Sequence, residues 1–395
     1  MATTSLLCLL LIDRIVLHAL PLGNIVYRLH PDHLIEYVPD SSKIYIHSSA
    51  NGGDWVRVRF NRQGYRGKEL AALDGAPRVL VYGDSFVAAE FTSLDETFVA
   101  QLAGRLSEGL GGPVEAVNAG LVGSGPDQVL RRMPAELAAL EPSLVIVALT
   151  SANDFGDLIR NKLYQLADDG SLIVRAPDVG AGLRRGLEPS WHAHSGWGLL
   201  LRAARRGVAF RVRELRSPAV SLEPPRQVAQ RLWERSQGEY TNSVVRGDPV
   251  VRNVFDDQYD ADVSLTPQAR SALHKRRLME AVLSEIAAVT TQAGVPLLLV
   301  AIPSPVDVTE DHYGMVVDWR RFPGYRRDSL TRAVVEPAER LGIPVLDLFG
   351  PMRRSEDPSA LFYRAGNDHW NSRGQALAAD LTAERIVDEG WLDAH

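Results

Sequence analysis

The stretch Val79-Leu80-Val81-Tyr82-Gly83-Asp84-Ser85-Phe86 decides the reading of the chain. Its first four residues are the apolar, partly β-branched run of a strand buried on both faces of a parallel sheet, and the run stops abruptly at Gly-Asp-Ser. Ligands of such sheets sit beyond the carboxyl ends of the strands, so Ser85 stands at the edge where chemistry takes place. Gly83 permits a sharp turn, and Phe98, Leu102 and Leu106 follow at helical spacing within 97–110. By itself an Asp-Ser pair after a strand is more often a helix cap than a nucleophile.

The same rhythm recurs downstream. Residues 114–118 read as a second strand and run into the Gly-rich loop Ala119-Gly120-Leu121-Val122-Gly123-Ser124-Gly125-Pro126, followed by a helix over 127–140. A third strand over 144–149 ends at Ser151-Ala152-Asn153-Asp154. After about residue 270 come a helix over 273–293, a strand over 295–302, a helix over 329–341 and a strand over 343–348. Gly366-Asn367-Asp368-His369-Trp370-Asn371-Ser372-Arg373-Gly374 then opens a last helix. Alternating strands and helices predict an α/β fold whose parallel sheet brings the strand-end loops to one edge.

Two regions depart from the rhythm. Between residues 30 and 69, Tyr37, Ile44, Ile46, Val56, Val58 and Phe60 alternate with polar residues, which predicts short antiparallel strands forming a small N-terminal β cap. Residues 155–270 carry turn signals, a Trp/His group (Trp191, His192, His194, Trp197) and an Arg-rich helix candidate over 198–216, and read as an inserted helical cap. His192 and His194 have too few partners for a metal. The arginines are read as a solvated helix face rather than a contact for an anionic substrate or a membrane. The expected organisation is an N-terminal segment over 1–77 and a main domain over 78–395 interrupted by the cap.

Composition narrows the function. The 395 residues, 45% hydrophobic, are enough for a large core. A formal charge of −6 offers no basic footprint for nucleic acid. Four lysines (Lys43, Lys68, Lys162, Lys275) leave arginine as nearly all the positive charge. The single cysteine, Cys8, excludes an internal disulfide and a multi-cysteine metal site. The apolar run from Leu6 to Ile12 is interrupted by Asp13 and Arg14, falls short of the ~20 residues that span a bilayer, and is read as a short buried segment. Membrane association is not indicated, and the cytoplasm is the default localisation. No metal or organic cofactor is implied, and the Gly120–Gly125 loop lacks the Gly-Lys-Ser/Thr of a phosphate loop.

A serine hydroxyl becomes a nucleophile when a base takes its proton, and acyl transfer needs donors for the oxyanion. His369, just ahead of the last helix, is the candidate base; the Ser85 and Gly123 N–H groups and the Asn153 amide are candidate donors. Gly83-Asp84-Ser85, the Gly123 loop, Asn153-Asp154 and His369 occur in the order of the four blocks of the SGNH/GDSL hydrolase family, which the chain resembles from about residue 78 onward. The resemblance implies a flavodoxin-like three-layer α/β/α sandwich and a Ser/His/Asp acyl-enzyme mechanism. It makes Ser85 nucleophile and oxyanion donor, Gly123 and Asn153 the other donors, and His369 the base, with Asp84 and Asp154 in support.

Two positions depart from the family. Ser151 stands where a glycine is usual, and Gly366 where the acid is usual, three residues before the histidine. Asp368 is the first candidate to orient His369, with Asn367, a backbone carbonyl and a distant carboxylate as alternatives. His369-Trp370-Asn371 resembles bacterial proteins that move acetyl groups on and off polysaccharides. The leading expectation is a serine esterase acting on O-acetylated carbohydrate or another small ester. An O-acyltransferase with the same site and a catalytically silent binding protein of the same fold are the alternatives.

Overall fold

The computed structural model describes residues 2–19, 26–71, 75–188, 195–198, 200–201, 204–205, 225–256, 258–310, 312, 321–364 and 367–392. Trp191, His192, His194, most of the Arg-rich stretch and Gly366 lie outside them.

Two antiparallel pairs come first: β1 (Tyr27–His30) with β2 (Leu34–Tyr37), and β3 (Ser42–Ile46) with β4 (Trp55–Arg59). The central sheet begins with β5 (Arg78–Tyr82), β6 (Glu115–Asn118) and β7 (Leu144–Thr150). Between β7 and the rest of the sheet lie short helices and more strands: the hairpin β8 (Tyr164–Leu166) and β9 (Leu172–Val174), and the parallel pair β10 (Asp178–Val179) and β11 (Val250–Val251). The sheet is completed by β12 (Leu297–Ile302) and β13 (Val345–Asp347).

The five central strands are all parallel, in the order β6-β5-β7-β12-β13. Every residue of β5, β7 and β12 is buried, as continuous apolar runs require, whereas the edge strands β6 and β13 are partly exposed. Alternate residues feed two cores. Leu80, Tyr82, Val145, Val147, Leu297 and Leu299 pack with the helices Pro126–Leu140, Arg270–Ala293 and Ser329–Arg340. Val79, Val81, Ile146, Ala148, Leu298 and Val300 pack with Phe98–Leu110 and Ser372–Asp388. The result is a three-layer α/β/α sandwich. Its chain leaves β5 toward β6 on one side and returns to β7 on the other, so the crevice between the ends of β5 and β7 is the switch point where such sheets bind ligands.

A third core joins the N-terminal strands to the region between β7 and β12: Ile35, Tyr37, Val58 and Phe60 meet Leu121, Leu163, Leu183, Val251 and Val254. One expectation is corrected. The run from Leu6 to Ile12 is not a short buried segment but part of a helix, Ala2–Ala19, in which Leu7, Leu9, Leu10 and Leu11 are exposed. Apolarity alone does not bury a segment; a facing element must do so. Among the described residues no helix is long and apolar enough to cross a membrane.

Candidate active site

Ser85 opens a one-turn helix, Ser85–Ala88, directly after β5. Asp84 is its N-cap: Oδ1 accepts the Phe86 N–H at 2.9 Å. Capping and presentation of the serine hydroxyl are therefore one arrangement here, since the cap turns Ser85 out of the strand. Gly83 is needed for the close approach, because a Cβ there would lie 2.3 Å from Val87 Cγ2 and 3.0 Å from the Ala148 carbonyl. The Gly-rich loop packs on the same turn. Leu121 N–H donates to Gly83 O at 3.0 Å, and a Cβ on Gly120 would lie 2.4 Å from Ala88 N. Gly123 has φ +75°, and a Cβ there would collide with Val254 O at 2.0 Å.

His369 comes to Ser85 from the far end of the chain, with Nε2 2.6 Å from Ser85 Oγ. On its other side Nδ1 lies 2.9 Å from Asn367 Oδ1. The same Oδ1 accepts the His369 backbone N–H at 3.1 Å. A backbone N–H can only donate, so the Asn367 atom facing the ring is the oxygen and Nδ1 carries the proton. Nε2 then presents its lone pair to the serine hydroxyl.

Asp368, the first candidate for that orienting role, lies farther off than Asn367: its Oδ1 is 3.4 Å from Nδ1 and its side chain is 52% exposed. Asn367 Oδ1 accepts the backbone N–H two residues on, the contact of an Asx turn, and this brings the same oxygen to the ring. Asn367 therefore reaches the ring, and it is buried with it.

The imidazole is packed between Phe86, stacked at 4.7 Å, and Phe91 at 4.5 Å. Burial pushes its pKa below the ordinary value, opposed in part by the negative charges of Asp368 and Glu90. Trp370 holds the loop in place by donating Nε1–H to Phe86 O at 2.9 Å, and Asn371 caps the last helix through Arg373 N–H at 2.9 Å. Phe91 is a site-forming residue that sequence reasoning did not single out; Asn367 stood among the alternatives for the orienting role, and Phe86 and Trp370 were quoted in their runs without a role in the site.

Asn153, just after β7, is the N-cap of the helix Asp154–Asn161, and its side chain and that of Thr150 lie beside Asp84. It therefore stands beside the serine turn, across the switch point. Ser151, in the place of the expected glycine, donates its hydroxyl to Ile302 O at 2.9 Å and ties β7 to β12. Asp84 and Asp154 are fully enclosed, and burial raises both pKa values, with the charge of Asp157 adding to the shift at Asp84 and those of Asp84 and Asp157 at Asp154. Two unpaired buried carboxylates do not both ionise easily, so they act as hydrogen-bonding supports beneath the turn.

The N-terminal strands brace the loop that follows Ser85. Glu90 accepts Tyr27 OH at 2.8 Å and Tyr37 OH at 2.9 Å and pairs with Lys43. Arg66 donates to the carbonyls of Ala88, Ala89 and Thr92. Asn51 exchanges two hydrogen bonds of 2.7 Å with the Arg364 backbone, next to the histidine loop.

A possible metal set lies apart from this site. His30, His33 and Glu36 bring ligand atoms within 4.8 Å of one another. The two rings stack at 3.6 Å, His30 Nδ1 accepts the Asp32 N–H, and Glu36 pairs with Arg28. Those bonds serve the hairpin rather than an ion.

Residues 259–394 match the family model described as SGNH hydrolase-like domain, acetyltransferase AlgX. The matched part, about a third of the chain, holds β12, β13 and His369; Ser85, Gly123 and Asn153 precede it. No curated protein matches the sequence. Solved structures similar to it include the acetylxylan esterase Axe2 from Geobacillus stearothermophilus, 14% identical, covering 81% of this chain and 97% of that one, TM-score 0.40. Another is a lipase/acylhydrolase from Enterococcus faecalis, 12% identical, covering 79% and 96%, TM-score 0.37.

Proposed function

We propose that the protein is a serine acyl-transfer enzyme that cleaves small O-acyl esters, with O-acetylated carbohydrate as the substrate class. The observation that carries this reading is the 2.6 Å contact of His369 Nε2 with Ser85 Oγ at the β5/β7 switch point. Ser85 Oγ attacks the acyl carbonyl as its proton passes to Nε2, while Nδ1–H stays on Asn367 Oδ1. The tetrahedral oxyanion is received by the Ser85 and Gly123 N–H groups and the Asn153 amide. Nε2–H then protonates the leaving alcohol, and water, deprotonated by the same nitrogen, releases the acyl group and restores Ser85.

The matching family model, named for an acetyltransferase, favours a second reading in which a sugar hydroxyl replaces that water. Hydrolase and transferase share every step up to the acyl-enzyme.

The test is labelling by a fluorophosphonate probe and turnover of p-nitrophenyl acetate, with intact mass of wild type and Ser85→Ala. Labelling and turnover that both vanish in the folded variant support the mechanism; near-wild-type turnover in Ser85→Ala overturns it. Folded wild type that neither labels nor turns over the ester points to a silent member of the fold. Adding an unacetylated oligosaccharide and weighing the products separates transfer from hydrolysis.

A further inference from the structure

We propose that the N-terminal helix inserts into the surface of a lipid bilayer and holds the enzyme there. Leu7, Leu9, Leu10, Leu11, Ile12 and Ile15 are between 42% and 67% exposed, an unusual density of bare aliphatic side chains. An α-helix advances about 100° per residue, so these six positions fan over roughly 260° of its circumference. The sector they leave is centred on Asp13. That carboxylate faces its own chain, where Oδ1 accepts Ser195 Oγ–H and Trp197 N–H, each at 2.9 Å.

The tether brings a second apolar element alongside. Trp197 and, one turn on, Leu201 are 45% and 50% exposed, and Arg14 and Arg205 are exposed at the same patch. Aliphatic residues flanked by tryptophan and arginine are the composition of a membrane-interface segment, whose apolar side chains enter the acyl boundary while the guanidinium groups meet headgroup phosphates.

The width of the apolar sector chooses between occupants. A second copy of the chain would cover one stripe of the helix, on the order of 100°; lipid wraps every side that the tether leaves open. The helix is also too short and too polar to cross a bilayer, with Asp13 and Arg14 in its second half. It therefore lies in the plane of the interface, and an enzyme held this way works on substrates at or near a membrane surface.

Cys8, the only cysteine, is exposed within the same sector and takes an environment-sensitive fluorophore without further mutation. The experiment is flotation of the full chain, labelled at Cys8 with nitrobenzoxadiazole, with vesicles of phosphatidylcholine with and without phosphatidylglycerol. Wild type is expected to float with both, more strongly with phosphatidylglycerol, and the Cys8 emission to shift to the blue. Leu10→Glu/Ile15→Glu is expected to lose about tenfold or more of the binding at unchanged Tm. Failure to float with either vesicle overturns the proposal, as does flotation with unchanged Cys8 emission. A blue shift without lipid that grows with protein concentration identifies a second copy as the occupant and also overturns it.

Discussion

Asn367 Oδ1 and Ser85 Oγ lie on opposite sides of the His369 ring, 2.9 Å from Nδ1 and 2.6 Å from Nε2. A neutral amide thus does the work for which a carboxylate is the usual choice. It fixes the tautomer as well as an acid does, because its oxygen accepts the Nδ1 proton and is itself oriented by the His369 backbone N–H. It does not bring a full negative charge to the imidazolium that forms in the transition state. The partly exposed Asp368 supplies some of that charge through solvent.

Asn367→Ala is expected to lower kcat on p-nitrophenyl acetate by ~10²-fold or more, the scale of general-base catalysis. Asp368→Ala is expected to stay within about threefold, as exposed charges contribute little. Steady-state kinetics on the two variants checks this, and the opposite ranking would return the orienting role to Asp368.

The pH profile follows from the burial of His369. Only the neutral imidazole accepts the Ser85 proton, and burial lowers its pKa, so the acid limb of kcat/KM is expected below pH 6.5. Asn367→Asp puts a negative charge beside Nδ1, favours the protonated ring, and moves that limb to higher pH. A limb that stays put in this variant would show that His369 is not the titrating base.

Asn153→Ala is expected to reduce kcat by about 10²- to 10³-fold with little change in KM, as removal of one oxyanion donor does. Slow fluorophosphonate labelling of Ser85 should persist. A variant with unchanged kcat would remove Asn153 from the oxyanion site.

Gly123→Ala is expected to destabilise the fold by a different route. Its φ of +75° is costly for alanine, and the new methyl meets Val254 O at 2.0 Å. A fall in Tm tests this; a Tm equal to wild type would mean that the 119–125 loop can shift away from residue 254.

Below the site, the fully buried Lys275 ammonium lies 2.7 Å from Asp260 and 2.9 Å from Asp262. Lys275→Met leaves these carboxylates unpaired and is expected to cost about 3–5 kcal/mol in urea unfolding. Burial and Asp262 raise the Asp260 pKa to about 7 in the intact protein. Loss of the lysine raises it further, so the cost should be greater at pH 8 than at pH 5, where the carboxyl is protonated. A cost independent of pH would place the effect in packing alone.

The sequence by itself determined the sheet and its working edge. β5, β7 and β12 announce themselves as continuous apolar runs, and the turns after β5, β6 and β7 carry Gly-Asp-Ser, the glycine-rich loop and Asn-Asp. These are local signals, governed by burial on two faces and by the φ/ψ needs of a few turn residues. Even the approach of Ser85 to His369, 284 positions apart, followed from parallel-strand topology in kind, though not in distance. Tertiary structure alone decided the rest. Whether Asn367 or Asp368 faces the ring depends on the turn that Asn367 makes with the His369 N–H and on the packing of the ring against Phe86 and Phe91. Glu90, unremarkable in sequence, matters because Tyr27, Tyr37 and Lys43 converge on it. The N-terminal leucines read as buried until the fold left them without a facing element. In each case the deciding quantity is a contact between distant segments, which composition and periodicity do not encode.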